Sequence, residues 1–244
     1  MGCFKSKYKP QKINVETQKP DILSKQTENR IITETIHVDR LDRVYNVAQK
    51  DKIEPLLAIK TIVLGGGCFW GVQHYFRKVP GVVKTKVGYA QGTVKNPTYK
   101  IVCNKYVKSG HSEVCKVDYD VNVTSLTILL EHFFMVIDPT TKDIQGYDEG
   151  PQYRTGIYYN DPSDATIIND YINSIKEDFD NPIVVEVLPA ETFWDAEEYH
   201  QDYLEKNPGG YCHINGSQIK CLEEIDVKAR KGRLNKEDKQ KYRH

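Results

Sequence analysis

A single cysteine, Cys68, stands between three glycines and two bulky aromatic side chains in the stretch GGGCFWG at 65–71. An apolar run at 61–64 precedes it, so the sequence predicts a buried strand that ends at the glycines and a helix that begins beside the cysteine. Backbone N–H groups and the positive end of a helix both favour a thiolate, which predicts a Cys68 pKa below its ordinary value of about 8.5. Cys68 is therefore a candidate nucleophile; the alternative is a strand-end cysteine kept for packing.

Hydrophobic periodicity predicts the strands and helices that must position this thiol. Strand-like runs lie at 61–64, 82–89, 114–119, 155–159 and 183–187. Helical spacing begins at Val72 and recurs in two longer stripes, 126–137 and 168–179, the second opened by Asp161-Pro162. The pattern predicts an α+β fold, a two-layer α/β sandwich in which helices pack on one mixed sheet, with a long irregular C-terminal segment.

The chain of 244 residues divides into three parts by composition. Residues 1–55 are polar and without sustained periodicity, and we expect a flexible extension there. Residues 56–226 form the predicted catalytic domain, including a glycine-rich loop at 207–221, and residues 227–244 form a charged tail that we expect to be solvated.

The net charge is zero, since 34 basic residues balance 34 acidic ones, and it gives no indication of a polyanionic partner. No nucleic-acid partner is expected on this basis. The sequence also has no apolar stretch of membrane-spanning length and no secretory signal, which predicts a reducing, cytoplasmic location.

Six cysteines in a reducing compartment are free thiols unless they serve catalysis, redox cycling or metal binding. No CxxC pair occurs, and Cys212-His213 with Cys221 supply only part of a zinc site, so no metal is expected. Cys103 and Cys115 are expected to be structural.

Seven motifs in order resemble the peptide methionine sulfoxide reductases of the A type. The resemblance covers roughly residues 60–221. Its motifs are GCFWG at 67–71, VGYAQG at 87–92, NPTY at 96–99, GHSEV at 110–114, DEGPQYR at 148–154, AEEYHQDYL at 196–204 and NPGGYC at 207–212.

This resemblance implies a role for each matching residue. Cys68 is the nucleophile that attacks sulfur, and Glu113 is the general acid, whose pKa a buried pocket would raise. The other residues implied to take part are Tyr89 and Tyr153, which hydrogen-bond the sulfoxide oxygen; Asp148, which helps to hold the substrate; and Phe69 and Trp70, which cradle its S-methyl group.

The resemblance also implies a thiol relay. Attack leaves Cys68 as a sulfenic acid, which condenses with a nearby thiol. Cys212 matches the resolving cysteine, and Cys221 matches a second resolving position that passes the disulfide to thioredoxin. The implied substrates are the S epimer of methionine sulfoxide in proteins and the free amino acid; no cofactor beyond a dithiol reductant is implied, and a monomer is expected.

The N-terminus carries a pattern outside this resemblance. MGCFKS at 1–6 fits the acceptor pattern for N-myristoylation at Gly2, and Cys3 is a possible palmitoylation site. A second acyl chain or the lysines that follow would be needed for stable anchoring. The alternatives are a reductase held on the cytoplasmic face of a membrane and a soluble enzyme with an accidental match.

Three other functions compete with the reductase interpretation. A cysteine hydrolase or acyltransferase would pair Cys68 with His111 and would not need Cys212. A tethered adaptor would have lost turnover, which intact Cys68, Glu113 and Cys212 argue against. A zinc-binding module is the third alternative.

Overall fold

The structure is a computed structural model, and it describes residues 58–232, 234–235, 237–238 and 241. The predicted extension at 1–55, with Gly2 and Cys3, lies outside these residues. Within them, no helix combines the length and the apolar character that a membrane span requires.

The strands are β1 (Ile59–Gly65), β2 (Val82–Ala90), β3 (Ser112–Asp120), β4 (Ile144–Gln145), β5 (Asp148–Glu149), β6 (Gly156–Tyr159), β7 (Glu186–Pro189) and β8 (Trp194–Asp195). The main sheet has the order β7-β6-β1-β3-β2-β8, whereas β4 and β5 pair separately. The β6–β7 pair is parallel and the other neighbouring pairs of the main sheet are antiparallel, as predicted for a mixed sheet.

The helices are α1 (Phe69–Phe76), α2 (Tyr99–Val102), α3 (Leu126–Val136), α4 (Pro162–Ile175), α5 (Tyr203–Lys206), α6 (Gly216–Lys220) and α7 (Leu222–Lys231). Side chains of β1 and β3 share one hydrophobic core with α1, α3, α4 and α7. The predicted α+β sandwich is confirmed.

The predicted helix starts at α3 and α4 reflect capping. Ser125 accepts a hydrogen bond from the backbone N–H of Ile128 at 3.3 Å. Asp161 accepts one from Ser163 at 2.9 Å, directly before Pro162 at the first helical position. Each cap satisfies an N–H group that the helix itself leaves unpaired.

The predicted strand at 183–187 is displaced in the structure to Glu186–Pro189. The Val184 N–H donates to the carbonyl oxygen of Pro139 at 2.8 Å, and pairing with the β6 edge begins only when Glu186 N–H reaches Thr155 at 3.0 Å. Residues 183–185 therefore lie against the end of α3 before the chain joins the sheet.

The predictions for the C-terminal region were wrong in two respects. The division between residues 226 and 227 falls inside α7, and the supposed tail contributes the buried residues Ala229 and Leu234. The irregular segment also contains α6, whose first turn has a capping box between Asn215 and Gln218. Apolar side chains at helical spacing on α7 pack on the core, and their burial stabilises the helix although its sequence is highly charged.

A chain of polar groups, buried except for Arg230, ties α7 to the rest of the domain. Tyr75 and His132 share a hydrogen bond of 2.9 Å, and His132 lies 3.4 Å from the carboxylate of Asp226. Arg230 donates to Asp226 at 2.6 Å and also to the backbone carbonyl of Pro80 at 3.2 Å. Buried polar groups that are paired in this way define one arrangement of the helix, because any displacement leaves them unsatisfied.

Candidate active site

Cys68 is the N-cap residue of α1, directly after β1 and the three glycines, as the sequence predicts. Its side chain is buried, with 7% exposed. Gly67 has a φ of +81°, and a β-carbon there would lie 2.6 Å from the side chain of Gln145. Glycine therefore allows both the turn and the close approach of the chain at this point.

The predicted lowering of the Cys68 pKa was wrong. Burial raises its pKa well above the ordinary range, the acidic side chains of Glu113 and Asp148 add to the rise when they are ionised, and a backbone N–H of Trp70 opposes it. The helix start does provide the expected N–H, but desolvation outweighs it. At neutral pH the group is thus a thiol.

Glu113 lies in β3 with 1% of its surface exposed. Burial raises its pKa to about 8, the direction expected for a carboxyl in an apolar pocket, and the backbone N–H of Phe69 opposes the rise. That N–H donates to Oε2 at 3.2 Å, while Oε1 has no hydrogen-bond partner among the described residues. A buried Oε1 without a partner is available to a substrate.

Tyr89 lies on β2 directly opposite Glu113 on β3, so the two side chains share one face of the sheet. The phenol is fully buried and donates a hydrogen bond of 2.8 Å to Oε2 of Glu197. Nearby Tyr99, the first residue of α2, donates its backbone N–H to Oε1 of Glu197 at 2.9 Å. The sequence analysis did not identify Glu197, although it lies within the motif at 196–204.

Tyr153 and Asp148 lie at the other side of this group. Tyr153 ends a 3-10 turn and is half-buried; its pKa is raised, first by burial and then by Glu113 and further neighbours that include Cys68. Asp148 is half-buried and accepts a hydrogen bond of 3.0 Å from the hydroxyl of Tyr211. Asp148 contributes to the raised pKa of Cys68, and Cys68 contributes to the raised pKa of Tyr153. The structure therefore places both predicted residues close to Cys68.

Phe69 and Trp70 form an apolar wall that other aromatic rings support. Trp70 stacks on Tyr203 with ring centroids 3.8 Å apart, and its indole N–H donates to His200 at 3.0 Å. Phe69 lies 5.8 Å from the Tyr89 ring and 5.1 Å from that of His200, between centroids. His200 is itself buried in a 3-10 turn, with 1% exposed.

Cys212 lies against the first turn of α1. A β-carbon at Gly71 would lie 3.1 Å from the Cys212 sulfur and equally close to the ring of His213. Two residues later, Ile214 is buried in the core, and the Gln218 side chain donates to the carbonyl oxygen of Met135 at 2.7 Å. The loop that carries Cys212 is thus anchored closely behind it.

Cys221 does not lie on a loop as expected. It is half-buried at the junction of α6 and α7 and packs on the core. Cys212 and Cys221 are separated along the chain by the anchored residues 214–218.

Cys103 and His111 were also named in the sequence analysis. Cys103, expected to be structural, is half-buried near Glu113 and Glu197, and burial raises its pKa to about 11. His111, the proposed partner of Cys68 in the hydrolase alternative, lies 2.7 Å from the Val94 carbonyl through Nε2, and its Nδ1 has no partner in the described part of the chain. A Cys68–His111 dyad is therefore not formed.

Cys115 lies in the core with no exposed surface, as expected. Among the described residues, no group of three or more His, Cys, Asp or Glu side chains is arranged to hold a metal ion.

Comparison with known proteins places this arrangement in a family. The family described as Peptide methionine sulfoxide reductase matches residues 60–230. The peptide methionine sulfoxide reductase MsrA of Clostridium acetobutylicum is 49% identical over 162 residues, which are 66% of this chain and 99% of that protein. The protein of the same name from Alkaliphilus metalliredigens is 53% identical over 157 residues, 64% of this chain and 98% of that protein.

Solved structures agree with the sequence matches. The reduced form of Mxr1 from Saccharomyces cerevisiae has a TM-score of 0.61 at 37% identity and covers 67% of this chain and 94% of its own. Methionine sulfoxide reductase A of Corynebacterium diphtheriae has a TM-score of 0.56 at 33% identity, over 65% of this chain and 79% of its own. Because the family model spans more than half of the chain and these relatives are about 50% identical over nearly their whole length, the chain belongs to the peptide methionine sulfoxide reductase family.

Proposed function

We propose that this protein reduces methionine-S-sulfoxide, in oxidised proteins and as the free amino acid, to methionine. The observation that carries the proposal is the placement of the Cys68 thiol beside Glu113, a buried carboxyl with one oxygen unpaired. A sulfoxide oxygen is a poor leaving group until it is protonated, and Glu113 with its pKa of about 8 holds a proton at neutral pH. Phe69 and Trp70 supply the apolar wall that a methyl group needs.

The net reaction is balanced without a cofactor. The Cys68 thiol and the sulfoxide become a sulfenic acid and a thioether, as the oxygen passes from one sulfur to the other. Tyr153, Tyr89 and Asp148 are proposed to hold the oxygen and the substrate. Sulfenic acid and the Cys212 thiol then condense to a disulfide with loss of water.

Recycling is proposed to use thioredoxin or another dithiol. The position of Cys212 beside Gly71, on the helix that begins after Cys68, supports a direct condensation. Cys221 is proposed as a second relay thiol that receives the disulfide by exchange. We propose that the enzyme acts as a monomer.

The relay is tested with a peptide that carries a single S or R methionine sulfoxide and with thioredoxin as reductant. Wild-type protein should consume the S epimer alone. Cys212→Ser should release about one methionine per enzyme and then stop, because the sulfenic acid has no resolving thiol. Cys221→Ser is the matched control within the same segment. If this variant still forms the first disulfide but turns over more slowly with thioredoxin, the relay is supported. If its turnover is unchanged, Cys221 is not part of the relay.

Continued turnover of Cys212→Ser at the wild-type rate would contradict its role as resolving cysteine. Consumption of neither epimer by well-folded wild-type protein would contradict the proposed function itself.

We also propose that acylation at Gly2 and Cys3 holds the reductase on the cytoplasmic face of a membrane. The sequence MGCFKS and the lysines that follow support this, since a myristoyl chain alone gives a membrane affinity of only about 10⁴ M⁻¹ and a second signal is present. Gly2→Ala should move the protein from the membrane fraction to the soluble fraction, and Cys3→Ser should weaken attachment. Equal partitioning of wild-type protein and Gly2→Ala would refute anchoring.

A further inference from the structure

Glu197 is a second carboxylate beside the proposed reaction chamber, and both of its oxygens accept hydrogen bonds. Tyr89 donates its hydroxyl proton to one oxygen at 2.8 Å, and Tyr99 donates its backbone N–H to the other at 2.9 Å. Burial acts to raise the pKa of Glu197, but these donors outweigh it and the pKa is lowered. At neutral pH the site thus holds one protonated carboxyl, Glu113, and one carboxylate, Glu197.

This pairing fixes the direction of the Tyr89 hydroxyl. A phenol has one proton to donate and oxygen lone pairs with which to accept. Since the Tyr89 proton is directed at Glu197, the phenol oxygen offers only an acceptor to the side where Glu113 lies across the β2–β3 pair.

A hydrogen-bond acceptor at Tyr89 interacts differently with the unprotonated and the protonated oxygen of the substrate. An unprotonated sulfoxide oxygen is itself an acceptor, so the Tyr89 oxygen gains nothing by lying close to it. When Glu113 has passed its proton to that oxygen, the new O–H can donate to Tyr89; the Cys68 thiol proton replaces the proton on Glu113. An interaction that forms only after protonation lowers the barrier without strengthening substrate binding.

We propose that Glu197 is a positioning residue that holds the Tyr89 hydroxyl as an acceptor for the protonated substrate oxygen, and so leaves Tyr153 to donate to the unprotonated sulfoxide. The proposal rests on the function proposed above for Glu113 and Tyr89.

Glu197→Gln tests this direction of hydrogen bonding, because the amide is similar in shape but can donate. With its carbonyl oxygen on the Tyr99 N–H, its NH₂ group would donate to Tyr89 and turn the phenol proton toward the substrate. The measurement is the single-turnover rate of methionine release from the S-sulfoxide peptide, by reduced enzyme without thioredoxin, as a function of peptide concentration. We expect the maximal rate to fall about 10- to 100-fold, the range for loss of one well-placed hydrogen bond, with the half-saturating concentration unchanged or lower.

Two further variants separate positioning from structural damage. In a Tyr89→Phe background the Glu197→Gln change should have no additional effect on the maximal rate, because both changes remove the same interaction. Glu198→Gln is the matched control, since this neighbouring carboxylate is 90% exposed in its side chain and contacts only Lys206 in the described structure; it should behave as wild type.

The result that would overturn the inference is a wild-type maximal rate in Glu197→Gln, or additive losses in the double variant. A raised half-saturating concentration together with a lowered melting temperature would also overturn it, in favour of a structural role. If wild-type protein failed to reduce the S epimer, the proposed function would fail instead, which keeps the two questions distinct.

Discussion

Substituting Cys68 by serine should eliminate enzymatic reduction of the S epimer, so that only the rate at which the reductant alone reduces the sulfoxide is left. A serine hydroxyl is a far weaker nucleophile at sulfur than a thiol, and it cannot carry the product as a sulfenic acid. The serine oxygen has nearly the same shape as the sulfur and the site is 7% exposed, so the fold should tolerate the change. The measurement is methionine release from a single-sulfoxide peptide with thioredoxin or dithiothreitol as reductant.

Cys103→Ser is the control for this substitution, because Cys103 is another thiol close enough to Glu113 for the carboxyl to affect its pKa. It should retain activity while Cys68→Ser loses all of it. If Cys68→Ser remained active and Cys103→Ser did not, the nucleophile would have been misassigned.

The second large effect is expected from Glu113→Gln, which should lower the maximal rate by about 10² to 10⁴, the usual contribution of a general acid. The amide keeps the shape and can still accept the Phe69 N–H, but it has no proton to give. In wild-type protein the acid is active when protonated, so the rate should fall as the pH rises through about 8, the pKa of Glu113. In Glu113→Gln this descending limb should be absent, as a pH–rate profile of single turnovers would reveal.

Burial of the Glu113 carboxyl also makes the free energy of unfolding depend on pH, in a direction that can be measured. Its folded-state pKa, about 8, lies above its ordinary value of 4.5, so between these values the folded protein holds a proton that the unfolded chain releases. The free energy of unfolding therefore declines as the pH rises through this range, and the decline ceases above the folded pKa.

Denaturation of wild-type protein and Glu113→Gln at pH 5 and pH 8.5 should show the variant gaining stability relative to wild type at the higher pH, by a few kcal/mol. Glu149→Gln, an exposed carboxyl in the neighbouring β5, is the control and should show no such gain. A stability difference between Glu113→Gln and wild type that does not change with pH would contradict the buried, protonated state.

The sequence predicted the features of the site that depend on local pattern. The apolar run, the glycines and the helical spacing after Cys68 placed it at the start of a helix, and Asp161-Pro162 marked the start of α4. Cys115 on β3, which was expected to be structural, likewise lies in the core. These signals are carried by neighbouring residues, so they hold regardless of the tertiary structure.

The errors arose where distant parts of the chain decide the outcome. The Cys68 pKa depends on burial by the whole site, which outweighs the local N–H groups. The role of Glu197 depends on Tyr89, 108 residues away in the chain. In α7 the apolar positions were present at helical spacing, but the surrounding charges suggested a solvated tail; the helix packs because distant residues of the core cover its apolar side chains and His132 pairs with Asp226.

The anchoring of the Cys212 loop has a further consequence for competition between thiols. Before the loop, Tyr203 is stacked on Trp70, and after it Ile214 is in the core, so Cys212 is carried on a short span fixed at both ends. A thiol tethered in this way has an effective concentration in the millimolar range or above near its target. If Cys212 resolves the Cys68 sulfenic acid as proposed, a small thiol in solution would have to exceed that concentration to intercept it, and the oxidised intermediate therefore passes to the enzyme's own relay.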